Sequence, residues 1–262
     1  MRFVFAGLIA AGVVPLLLAW RSRRATSLAH ALVWAIVAWL SWGLAFLLGD
    51  TEIAGLDPGR YCALCLTGCA GVAVLGARRP HVLAWNFVVL GLFAVMVLPL
   101  LETLFIGTHP VDPLRIFFMA ATIAVGILNY LPTRLAPAAL LLAIACAGEI
   151  VLLFAPAWLP GEAEAMIVAG LLTAVPWIAW SCLRKCRAEL SATDRLWLDF
   201  RDAWGLLWSQ RVREQFNRAA DNAGWPVTLT WSGLRGAEKM DAERLLETLR
   251  AILQRFVTAA QP

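Results

Sequence analysis

The chain has 262 residues, 61% of them hydrophobic and only 15% charged, with a net charge of +4 and a mean hydropathy of +0.73. Soluble domains carry about a quarter charged residues, so this composition excludes an ordinary water-soluble fold. The charges are also unevenly divided: residues 183–262 hold 13 of the 22 Lys and Arg and 10 of the 18 Asp and Glu, as expected of a chain that meets lipid first and water afterwards.

Seven apolar runs follow one another, at about 3–20, 28–48, 61–77, 82–106, 114–131, 136–154 and 164–182. Each approaches the ~20 residues that cross a hydrocarbon core of ~30 Å. Lipid offers the backbone no hydrogen bonds, so such runs must be helices. The third is short, and the fourth is long enough to tilt or bend. Residues 1–24 read as a first span rather than a cleaved signal peptide, because Arg21, Arg23 and Arg24 follow the apolar run instead of preceding it.

The gaps alternate in sign. Arg21, Arg23 and Arg24 fill the first, Arg78, Arg79 and His81 the third and Arg134 the fifth, and Arg184, Lys185 and Arg187 follow the last run. The even gaps carry Asp50, Glu52 and Asp57 against Arg60, then His109 and Asp112, then Glu162. The positive-inside rule then places the N-terminus outside and the C-terminus in the cytoplasm of a bacterial plasma membrane. Trp20, Trp85, Trp177 and Trp180 fall near the inner ends of spans and Trp158 in an outer gap, where amphipathic rings prefer to sit. The basic clusters serve topology, so no nucleic-acid partner is expected.

The tail, residues 183–262, reads as a small cytoplasmic helical domain. Ser191 and Asp194 suit a helix start. Leu196, Phe200, Trp204, Leu207, Trp208, Val212 and Phe216 then recur at helical spacing until Gly224 and Pro226. Val227–Trp231 reads as one short extended segment, and a second amphipathic helix follows at about 238–258. Trp197, Trp204, Trp208, Trp225 and Trp231 form either an aromatic docking surface or the core between the two helices.

Carboxylates in hydrocarbon are expensive. Glu102 and Glu149 both fall about one turn below the outer rim, with Pro99, His109, Asp112 and Arg115 nearby in sequence. They either form a polar cluster able to bind a cation or relay protons, or pair with Arg115 and Arg60. Three histidines without ligand spacing give no metal site, and no cofactor motif is present.

A further candidate is Cys62-Ala-Leu-Cys65 at the start of the third run, with Cys69 one turn deeper. A C-x-x-C pair at a helix N-terminus can exchange disulfides. The string Tyr61-Cys62-Ala-Leu-Cys65 resembles the redox pair of the membrane quinone reductases that reoxidise bacterial disulfide catalysts. The resemblance covers five residues. It implies a thiol–disulfide role for Cys62 and Cys65, whereas that family's second cysteine pair and the arginine after its motif are missing here.

The sequence is thus read as an all-α, polytopic bundle of seven transmembrane helices over residues 1–182 with a cytoplasmic helical domain over 183–262. The expected role is a non-enzymatic membrane component (sensor, scaffold or assembly subunit) acting through the tail on a protein partner or a second copy. A carrier using Glu102 and Glu149, and an oxidoreductase using Cys62 and Cys65, are the alternatives.

Overall fold

A computed structural model describes residues 2–48, 57–76, 82–107, 112–155, 162–184, 190–236 and 240–256. Of the residues singled out above, Asp50, Glu52, Arg78, Arg79, His81, His109, Trp158, Lys185 and Arg187 lie outside the described residues. The fold is overwhelmingly helical, and seven helical stretches are long and apolar enough to cross a membrane, with mean hydropathies from 1.4 to 2.4. They are consistent with a multi-pass membrane protein.

The first stretch is two helices, α1 (Arg2–Ala11) and α2 (Val13–Arg23). Pro15 has no N–H for the carbonyl one turn before it, which loosens the helix there. Gly12 occupies the joint, where a Cβ would lie 2.5 Å from Trp39 Nε1. The Trp39 indole uses that space to donate to Ile9 O at 2.9 Å. Then come α3 (Leu28–Leu48), α4 (Pro58–Ala73, extended by a 3-10 turn at Val74–Gly76), α5 (Val82–Ile106), α6 (Pro113–Tyr130), α7 (Ala136–Phe154) and α8 (Glu162–Arg184).

α4 is the hub, packing on α3, α5, α6 and α7. Its span is 56% buried against 28–33% for the others. The reason lies in its small side chains. Gly71 meets Gly126 of α6 so closely that a Cβ on either would fall under 3 Å from the other's Cα; such glycine contacts let membrane helices approach backbone to backbone. The outer faces are apolar as well: Phe87, Phe105 and Phe117 are 71%, 83% and 70% exposed, which suits lipid and not water.

The tail begins with α9 (Ala192–Asn222). Ser191 caps it by accepting from Asp194 N at 3.0 Å, and Gly224, at φ +64°, follows its end. The extended segment is one strand of a hairpin: β1 (Thr228–Thr230) pairs antiparallel with β2 (Gly233–Arg235), Leu229 opposite Leu234. Asp194 fixes the hairpin by accepting from Leu234 N at 2.7 Å, and Asn217 of α9 exchanges two hydrogen bonds with the Leu229 backbone. The second helix, α10 (Ala242–Leu253), is shorter than expected; Asp241 caps it and a 3-10 turn carries it to Phe256.

Candidate functional site

Among the described residues Glu102 and Glu149 pair with different arginines. Glu102 of α5 forms an ion pair with Arg115 of α6 through both guanidinium nitrogens. That pair is partly exposed, with Arg115 at 41% and Glu102 at 29%. Asp112 turns to the backbone instead, capping α6 by accepting from Leu114 N at 2.9 Å. Glu149 of α7 is fully buried, and its Oε2 lies 3.6 Å from Arg60 Nη1 of α4. Arg60 also reaches Asp57, the N-cap of α4, at 3.4 Å and lies over the Phe46 ring at 5.2 Å. Among the described residues, neither Glu149 oxygen has a hydrogen-bond partner. Of the five residues expected to cluster, Glu102, Arg115 and Asp112 are brought together, Asp112 close enough for its charge to act on Arg115, while Glu149 meets Arg60 and His109 lies outside the described residues.

Cys62, Cys65 and Cys69 lie in the hub helix as free thiols. Cys62 is half-buried, while Cys65 and Cys69 are fully buried. Met96 O of α5 accepts from Tyr61 Oη at 2.7 Å and from Cys65 Sγ at 3.7 Å. Cys69 makes the same kind of contact to Val89 O at 3.8 Å. These thiols act as small packing groups with a weak donor.

The tail tryptophans point in several directions. Trp197, Trp204 and Trp208 are buried, at 0%, 4% and 4% exposure. Phe256 packs edge-on to Phe200, Trp204 and Trp208, so these rings do form the core between α9 and α10. Two indoles also bind the apolar helices. Trp208 donates to Val74 O at 3.0 Å and Trp231 to Pro132 O at 2.7 Å. Trp197 holds the hairpin through Thr230 O at 3.0 Å, and half-buried Trp225 carries the Arg244 guanidinium over its ring at 5.0 Å.

The closest seam between tail and apolar helices was not anticipated. α9 breaks at Gly205, with φ +76° and ψ −165°, a conformation open essentially to glycine alone. Asn129 at the end of α6 fills the break. Its side chain donates to Trp204 O at 3.3 Å and accepts from Leu207 N at 3.0 Å, splicing the two halves of α9. Tyr130 Oη adds a bond to Ala203 O at 3.0 Å, and Arg134 N donates to Asp202 at 3.3 Å. Asn129 thus bonds between two helices, as polar residues on membrane helices commonly do. The glycine signalled nothing, because a lone glycine in an amphipathic pattern looks tolerated.

Behind this seam lies a cavity of about 670 Å³. Its floor and walls are apolar and small, with Ala31, Ala35 and Ala38 of α3, Gly71 of α4 and Gly126 of α6 among them. Arg23, Arg134, Arg184, Asp199 and Asp202 line its tail-side end. Water is a poor filling for such apolar walls. No protein-family model, curated protein or solved structure matches this chain.

Proposed function

We propose that the chain is a non-enzymatic component of a bacterial plasma membrane, a seven-helix bundle with its N-terminus outside, whose cytoplasmic tail presents the state of the bundle to a protein partner. The observation that carries this reading is the Asn129–Gly205 splice. A tail tied through its own backbone to α6 must move when α6 moves. The alternating charge of the gaps supports the orientation. The matching of Glu102 to Arg115 and Glu149 to Arg60 supports structural ties between helices.

With three tryptophans turned inward, the surface offered to a partner is the charged one. It carries Arg211, Glu214 and Arg218 of α9, exposed beside a shallow cleft of about 460 Å³ that also borders β1. The test places a photocrosslinking residue at Arg218 in living cells. A discrete protein adduct that weakens in Asn129→Ala is expected. Adducts to lipid alone, or an adduct indifferent to Asn129, refute the reading, and reporters at the two termini found in the same compartment refute the orientation. The carrier alternative keeps one observation in its favour, the buried Glu149 carboxylate without a hydrogen bond.

A further inference from the structure

The cavity behind the tail has a shape and a charge distribution that name an occupant. Along α3 its lining runs from Leu28 to Trp39, and along α8 from Val175 to Arg184. At 1.5 Å per residue these stretches span about 14–16 Å, half of a hydrocarbon core of ~30 Å. The cavity is thus as deep as one leaflet. Its volume of about 670 Å³ falls within the ~300–1,000 Å³ typical of ligand pockets, and apolar walls with a few polar groups at one end are the usual build of such a pocket.

The polar end is basic. Arg23 closes α2 and Arg184 closes α8, and both line the cavity. Their planes rest on indoles, Arg23 at 5.6 Å from the Trp204 ring and Arg184 at 4.4 Å from the Trp180 ring. Ring stacking holds a guanidinium in place and leaves its edge donors for a phosphate. Arg134 is a third cation there. Three arginines thus stand at this end with two acids, Asp199 and Asp202, and Asp202 also meets Arg201 at 2.7 Å. α2 and α8, which both line the cavity, touch along less of their length than α7 and α8 do.

We infer that this cavity binds one anionic phospholipid of the leaflet adjoining the tail, an acyl chain between α3 and α8 and the phosphate at Arg23 and Arg184. The inference rests on the membrane reading above but not on the identity of any tail partner. A lipid in this place touches α9 directly, through Ala203 and the aspartates, so its arrival bears on the tail seam.

The full-length protein, purified in a neutral detergent, is exposed to phosphatidylglycerol or phosphatidylcholine and examined by native mass spectrometry. One retained phosphatidylglycerol per chain is expected, with phosphatidylcholine retained at least tenfold less. Arg23→Gln with Arg184→Gln is expected to abolish the preference. Ala35→Leu with Ala138→Leu, which narrows the cavity and spares the arginines, is expected to weaken retention. The Arg184→Lys variant, still cationic, keeps part of the preference if the charge acts as inferred. Equal retention of the two lipids, or retention indifferent to the narrowing variant, overturns the site while leaving the membrane reading intact. A chain that stays soluble and lipid-free without detergent overturns the membrane reading itself.

Discussion

Replacing Gly205 by alanine probes the seam between tail and apolar helices at its narrowest point. Two effects add. The residue holds φ +76° and ψ −165°, and a side chain there costs about 1–3 kcal/mol in backbone strain. The new Cβ would also lie 2.2 Å from Asn129 Nδ2 and 2.6 Å from Asn129 O. The amide must leave, orphaning both Trp204 O and Leu207 N, at about 1–3 kcal/mol for each. The expected loss is therefore about 3–9 kcal/mol, local to the seam. Hydrogen exchange at the Leu207 amide reports it: a local opening easier by about 2 kcal/mol raises exchange roughly 30-fold. Asn129→Ala alone removes the same two bonds. In that background Gly205→Ala retains its backbone strain but no longer displaces the amide, so the double variant must cost less than the two singles together. Strict additivity, or a Gly205→Ala variant with wild-type exchange at Leu207, refutes the splice.

Arg60→Ala leaves the Glu149 carboxylate buried without its countercharge, and about 3–5 kcal/mol of stability should be lost; Glu149→Gln should cost clearly less, and the reverse order in thermal unfolding would show that the pair is not the tie described. The same Glu149→Gln protein checks the carrier alternative, since any cation-coupled uptake must vanish with it. Cys65→Ser keeps a donor for Met96 O, so it should shift stability by about 1 kcal/mol or less and leave the output of the tail unchanged; loss of that output with intact folding would instead mark a thiol role.

The helical spans were legible because lipid imposes a single rule: apolar length. All seven spans recur in the structure within a few residues, although the joint at Gly12 that divides the first was not read. Pairing was harder to read. Nothing in the pattern says that Glu149 reaches Arg60, because which helix faces α7 is a matter of packing; the two pairings with Arg115 and Arg60 were visible only as one option among others. The hairpin was half read, since β2 is three residues long and too short to show alternation. The cavity was invisible. Alanines and glycines forecast close packing wherever they lie, and only the assembled helices reveal which of them touch, as Gly71 and Gly126 do, and which leave space.

The hub helix has a consequence for how the protein is made. Residues 58–76 have the lowest mean hydropathy of the seven spans, 1.4, yet are the most enclosed. A segment of that kind leaves the insertion machinery reluctantly by itself, since its small and polar side chains gain little from acyl chains. Its most extensive neighbour is α3, synthesised just before it. The two are therefore expected to enter as a pair, and a lesion that weakens α3 should be felt first as failed insertion of α4, during biogenesis, well before any mature protein exists to be assayed.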